Sequence, residues 1–76
     1  MQPLGILSPM APLSVMANRL RKLRLKRGMT QQELADAAGL SRQYVARLER
    51  AMQDPRLSVL EKLAKALKVK ASTLLD

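Results

Sequence analysis

The sequence predicts an all-α protein of five short helices. Apolar residues recur every three or four positions in four stretches, with a shorter fifth stretch at the end. Glycine or proline separates several of these stretches, at Gly28, Gly39 and Pro55. No segment alternates apolar and polar residues as a half-buried strand does. At 76 residues the chain has the size of one domain.

The first helix is predicted over residues 15–27, where Met16, Leu20 and Leu23 recur at helical spacing. Gly28 ends it, because glycine tolerates the left-handed conformation of a helix end. Leu25 falls outside the apolar stripe, so we expect it to be exposed or to face a partner.

Residues 1–14 are predicted to be a flexible leader, and residues 15–76 the folded domain. The leader carries no cation at its start, unlike a secretory signal. Pro3, Pro9 and Pro12 interrupt it, whereas a membrane span needs roughly twenty unbroken apolar residues. Because the helical pattern begins near Met16, one hypothesis is that Met16 is the true start.

Capping residues define the next two helices. Thr30 and Glu33 form a capping box that predicts a second helix over residues 31–38, ended by the turn at Gly39. Ser41 is the expected cap of a third helix over residues 42–50. Their inward residues are predicted to be Leu34, Ala35, Ala38, Val45 and Leu48.

A fourth helix is predicted to start near Leu57, although Ser58 and Glu61 form a second candidate capping box that leaves its start open. Its apolar side is predicted to comprise Leu60, Leu63, Ala64 and Leu67. Residues 71–75 are predicted to form a short fifth helix.

The amino-acid composition narrows the range of possible functions. Fourteen Lys and Arg residues outnumber six Asp and Glu residues, giving a formal net charge of +8, and six of the cations lie within residues 19–27. Such an excess favours a polyanionic partner, nucleic acid or an anionic membrane surface, although a basic run can also be a solvated face. The chain has no cysteine and no histidine, so we expect no enzyme, no metal site and no cofactor. Absent cysteine fits the cytoplasm.

Residues 31–50 carry the most specific pattern. Two short helices are joined by a tight turn at Gly39, where a positive φ would strain a residue with a Cβ. Ala35 stands where a larger side chain would push the two helices apart. This spacing predicts a helix-turn-helix, whose second helix enters the major groove of DNA.

The sequence also resembles the phage-repressor-like (Xre-type) family of transcriptional regulators, which has the lambda-repressor-like fold. The resemblance covers residues 18–75, and its matching positions are Leu23–Arg24, Arg27 through Ala35, Gly39–Ser41, Leu48–Arg50, Pro55, Leu57, Leu60, Leu63–Ala64 and Ala66–Leu67. In size the chain is similar to restriction-modification controller proteins and to some antitoxins. It departs from the pattern at Ala51 and Lys68, where many relatives have glycine, and this puts the local loop geometry in question.

The third helix is expected to read bases through Arg42, Gln43, Tyr44 and Arg47, with solvated surface as the alternative for each. Arginine can bond guanine and glutamine can bond adenine in a bidentate manner, and a tyrosine ring can contact a thymine methyl group. For Tyr44, packing inside the domain is the further alternative.

A second group of residues is expected to contact phosphates and so position the protein. The resemblance implies this role for Gln31 at the start of the second helix, where unpaired N–H groups favour an anion. The other members of the predicted group are Gln32, Ser41, Arg50, Gln53 and Arg56. The alternative for Gln31, Gln32 and the three residues after the third helix is a surface position without DNA contact. Arg24 and Glu49 match positions that form a structural ion pair between the first and third helices in relatives.

One helix-turn-helix reads few base pairs, so we expect a homodimer on a near-palindromic operator in double-stranded DNA. Its interface is sought among Val69, Leu74, Leu75 and neighbouring residues of the fourth helix, with closure of the core as the alternative role of the same leucines. The main alternative is an antitoxin that masks a toxin and autoregulates by binding DNA, and the apolar leader is its only candidate toxin-binding segment. A membrane-active basic peptide is disfavoured, because the first helix needs its apolar face for the core.

Overall fold

The computed structural model describes residues 12–75, and within that range the chain forms five α-helices and no strand. The helices are α1 (Leu13–Lys26), α2 (Gln31–Ala38), α3 (Arg42–Glu49), α4 (Leu57–Leu67) and α5 (Ala71–Leu75). The all-α prediction is therefore confirmed, and each helix begins and ends within two residues of its predicted position.

The start of α1 differs from the prediction. The helix begins at Leu13, two residues inside the segment assigned to the leader and three residues before Met16. Pro12 has a φ of −56°, and its carbonyl accepts hydrogen bonds from the N–H groups of Val15 and Met16, so this proline begins the helix instead of interrupting it. The remaining leader, residues 1–11, lies outside the described residues.

The predicted capping box of α2 is confirmed. The Thr30 hydroxyl accepts the N–H of Glu33 at 3.0 Å, and a Glu33 carboxylate oxygen accepts the N–H of Thr30 at 2.8 Å. The cap of α3 is also confirmed, since Ser41 Oγ accepts the N–H of Tyr44 at 3.1 Å. Both helices of the predicted motif thus begin at side-chain caps.

The candidate capping box at Ser58 and Glu61 is wrong. Arg56 is the N-cap of α4, and no side chain caps this helix end. Ser58 lies inside the first turn, because α4 already begins at Leu57. Pro55, which is buried, restricts the backbone just before the helix and leads into the extended conformation of Arg56.

All five helices contribute to a single core. Helix α2 packs against α3 and α4, while α1 packs against α3 and α5. The largest fully buried side chains are Leu34, Val45, Leu60, Leu63, Leu67 and Leu74. Burying each of these five leucine side chains and the one valine side chain stabilises the fold by about 1.5–3 kcal/mol, so the six residues carry much of the stability. Among residues 12–75, no helix combines the length and the apolar character that crossing a membrane requires.

The two residues that depart from glycine adopt the backbone conformation that glycine favours. Ala51 and Lys68 have φ values of 57° and 59°, in the left-handed region. Each Cβ in this conformation costs about 1–2 kcal/mol. The packing of the surrounding helices therefore imposes the conformation against local preference.

Candidate nucleic-acid interface

Helices α2 and α3 form a compact helix-turn-helix unit. Gly39 has a φ of 70°, and the N–H of Leu40 donates to the carbonyl of Ala35 at 2.8 Å, which closes the end of α2. Ala35 has no exposed surface, as expected of a small residue between closely packed helices. The turn and this close approach fix the direction in which α3 leaves α2.

Helix α3 turns one face to the core and the other to solvent. Val45 and Leu48 are buried, whereas Arg42, Gln43 and Arg47 are exposed. At 100° per residue, the three exposed side chains fall within an arc of about 140°. In the part of the chain that the structure describes, no hydrogen bond or ion pair engages these three side chains, so their donors are available to a ligand.

Tyr44, the fourth predicted base-reading residue, lies about 60° beyond this arc, on the side of Leu48. Its side chain is half-buried and packs against the core. Part of the ring therefore packs inside the domain, which was the alternative to DNA contact for this residue. Only the exposed part of Tyr44 is left for contact with DNA.

The start of α2 offers backbone donors and two amide side chains. The first N–H groups of a helix have no partner within the helix, and the helix dipole adds positive potential there. Gln31 donates from Nε2 to Glu49 Oε1 at 3.2 Å, and Gln32 donates from Nε2 to Asp36 Oδ1 at 2.8 Å. Each amide holds a further N–H and a carbonyl oxygen that these bonds do not use.

The remaining predicted phosphate contacts lie at the two ends of α3 and in the following loop. Ser41 uses its Oγ lone pair as the cap, which leaves its hydroxyl hydrogen for an external acceptor. Arg50 and Arg56 are exposed at either end of the α3–α4 loop, and Gln53 between them is half-buried. Asp54 is the one carboxylate within this loop.

An ion pair between Arg24 and Glu49 joins α1 to the end of α3. Arg24 Nε lies 2.6 Å from Glu49 Oε2, and Arg24 Nη2 lies 3.0 Å from Glu49 Oε1. The hydrogen bond with Glu49 raises the pKa of Arg24 above its usual value, although burial acts in the opposite direction. The fork geometry fixes both side chains, as bidentate arginine–carboxylate pairs do.

Two further bonds extend this ion pair into a network. Arg24 Nη1 donates to the Met29 carbonyl at 2.8 Å, and Glu49 also accepts from Gln31. The network therefore links α1, the α1–α2 loop, the start of α2 and the end of α3. The bond between Gln31 and Glu49 did not follow from the sequence, because residues 18 positions apart are brought together only by the packing of α2 against α3.

The basic run of α1 divides into structural and exposed cations. Arg24 is buried in the ion pair, and Arg27 Nε donates to the Leu67 carbonyl at the end of α4, at 2.8 Å. Arg19 Nη1 lies 3.5 Å from the Leu74 carbonyl of α5. Arg21 and Lys22 are exposed. Three of the four arginines in the run therefore hold α1 to other helices.

These features define a class of protein. Two capped helices meet at a left-handed glycine turn, and the second helix presents long hydrogen-bonding side chains to solvent. The class is that of helix-turn-helix proteins.

Comparison with known proteins places the chain within this class. Residues 20–74 match the Helix-turn-helix family (HTH_3), and the chain belongs to that family. The resemblance noted from the sequence is thereby confirmed. The chain is 43% identical over 56 residues to the immunity repressor protein of Bacillus phage phi105, covering 74% of this chain and 39% of that repressor. It is 44% identical over 62 residues to a hypothetical transcription factor of Neisseria meningitidis serogroup B, covering 82% of this chain and 58% of that protein.

A solved structure matches the fold over a similar range. The restriction-modification controller protein C.AhdI from Aeromonas hydrophila superposes with a TM-score of 0.81 at 38% identity, covering 83% of this chain and 96% of the controller. By contrast, the chain spans about half the length of the curated relatives it matches. The shared part is the helix-turn-helix domain itself.

Proposed function

We propose that this protein is a transcriptional regulator that binds a specific sequence of double-stranded DNA through α3. The observation that carries the proposal is the solvent-facing arc of Arg42, Gln43 and Arg47, held by a rigid helix and engaged by no other described residue. The repressor and transcription-factor names of the relatives support the same function. This role requires no catalytic group and takes place in the cytoplasm.

Different parts of the surface read the bases and bind the phosphates that position the protein on DNA. The proposed base readers are Arg42, Gln43 and Arg47, with Tyr44 contributing the exposed part of its ring. Backbone phosphates are bound at the start of α2 by Gln31 and Gln32, and around α3 and its following loop by Ser41, Arg50, Gln53 and Arg56. The ion pair and Gln31–Glu49 bond make α2 and α3 approach the duplex as one rigid body.

Selection of bound duplexes from a random pool tests this proposal. The expected result is one motif with two-fold symmetry, its half-sites about 34 Å apart, which is one turn of DNA. Replacement of Arg47 by alanine should relax the preference at one position and weaken binding by about 1–3 kcal/mol. Lys65→Ala, on the exposed face of α4, is the control and should leave the motif unchanged. A parent protein that enriches no motif would refute sequence-specific binding.

The symmetric motif requires a homodimer, and the structure changes where its interface is sought. Leu74 is fully buried within the domain, which favours the alternative that it closes the core. Val69 and Leu75 are half-buried against the same core. Leu57, at the start of α4, is 56% exposed, and we assign the dimer surface to this end of α4.

Sedimentation tests the dimer directly. Leu57→Glu should give a monomer that binds a full operator weakly, because a charge at a dimer contact is desolvated without a partner. Leu25→Glu is the matched control, since Leu25 on α1 is 54% exposed, and this variant should stay dimeric. A dimeric Leu57→Glu protein would show that the interface lies elsewhere. The antitoxin alternative depended on the leader, of which residues 1–11 are outside the described range, and no described feature favours it.

A further inference from the structure

A wide groove lies beside the contact between α1 and the end of α3. Its volume is about 660 Å³, and its walls come from the first part of α1, between Ser14 and Lys22, from Glu49 at the end of α3 and from Arg50 and Ala51 after it. None of the proposed base-reading residues lines it. The groove is therefore a second surface beside the recognition helix.

The charge of the groove is strongly positive. Arg21, Lys22 and Arg50 line it and are exposed. The only carboxylate in its walls is that of Glu49, which is paired with Arg24 and has a side chain only 4% exposed. No negative charge in the walls is left to balance the exposed cations, so the groove attracts an anionic partner.

One residue of the groove, Glu49, also contacts the start of α2. Glu49 forms part of the groove wall and at the same time accepts the hydrogen bond from Gln31, the first residue of α2. A DNA strand bound at the start of α2 carries a phosphate every 3.4 Å along the helix axis. A strand that runs from the start of α2 towards the end of α3 brings its next phosphates to the cations of the groove.

We propose that this groove binds the DNA backbone beyond the phosphates held at the start of α2, so that Arg21 and Lys22 of α1 belong to the interface. This inference rests on the proposed function. The cations are long, exposed side chains around an open groove, and no described buried polar group points into it to enclose a small anion. Such side chains neutralise phosphates without reading bases, so the groove adds affinity and not sequence preference.

The salt dependence of binding tests the proposal on the full chain with the selected duplex. The variant Arg21→Ala/Lys22→Ala is compared with Lys62→Ala/Lys65→Ala, which removes the same charge from the exposed face of α4. Each lost phosphate contact lowers the magnitude of the log–log slope of affinity against salt by about 0.9. The groove variant should lose about 1.8 in slope and keep the selected motif, while the control keeps the parent slope.

The outcomes separate this inference from the proposed function. If the parent selects a motif and the two double variants have equal slopes, the groove does not contact DNA and the inference is overturned. If the groove variant changes the preferred motif, its cations read sequence, and the inference is equally wrong. If the parent selects no duplex at all, the proposed function itself fails, and the inference fails with it. Both double variants alter exposed residues only, and matching thermal unfolding curves check that both are folded.

Discussion

Replacing Glu49 with alanine removes the carboxylate at the centre of the network that joins α1, α2 and α3. The change deletes both bonds to Arg24 and the bond from Gln31. Arg24 keeps a single partner, the carbonyl of Met29. The guanidinium would then stay buried and charged without a counter-ion, because its side chain is only 9% exposed.

The size of the effect follows from this burial. Breaking a buried ion pair by removing one partner costs about 3–5 kcal/mol, since the remaining charge loses its compensation. A 76-residue protein has a total stability of about 4–11 kcal/mol at typical values per residue. We therefore expect Glu49→Ala to lose about a quarter or more of the stability, and to lower Tm by about 12–40 °C at about 4–8 °C per kcal/mol.

Urea unfolding followed by circular dichroism measures this loss. Glu61→Ala, which removes an exposed carboxylate from α4, is the control and should change the free energy of unfolding by no more than about 0.5 kcal/mol. The double variant Arg24→Met/Glu49→Leu leaves no charge unpaired, so it should be much more stable than Glu49→Ala alone. A free energy of unfolding for Glu49→Ala equal to that of Glu61→Ala would refute the reasoning, because it would mean that the buried charge relaxes to solvent at no cost.

Three further predictions concern backbone strain, packing and pH. Ala51→Gly and Lys68→Gly should each stabilise the protein by about 1 kcal/mol in urea unfolding, because both residues occupy the left-handed region; an unchanged or lower stability would contradict this account of strain. Ala35→Leu should destabilise it by about 1–3 kcal/mol and weaken DNA binding, since the enlarged side chain separates α2 from α3; parent-like affinity would show that the helix angle is not set there. Because the pKa of Arg24 is raised in the folded protein, the stabilisation by its positive charge is complete below the unfolded-state pKa and is lost only above the folded-state pKa. The destabilisation by Glu49→Ala should therefore be the same at pH 7 and pH 10. A smaller destabilisation at pH 10 would show that Arg24 loses its proton in that range.

The sequence determined the features that depend on neighbouring residues. The capping box at Thr30, the cap at Ser41 and the turn at Gly39 each act within four or five positions, so local patterns predicted α2 and α3 to the residue at their starts. The exposed arc of α3 followed in the same way, because helical periodicity assigns each side chain to one face. The ion pair of Arg24 and Glu49 came from family resemblance, since spacing alone relates no residue of α1 to α3.

Tertiary structure decided everything that depends on which helices meet. Arg21 and Arg27 look alike in the basic run, yet one lines an exposed groove and the other bonds the Leu67 carbonyl of α4, 40 positions away in the chain. In the sequence, Leu74 and Leu57 are both apolar residues of predicted helices. Packing of α5 onto α4 buries Leu74 and leaves Leu57 exposed. The physical reason is that burial and pairing depend on the relative positions of whole helices, and those positions come from the shape of the core and not from the local sequence.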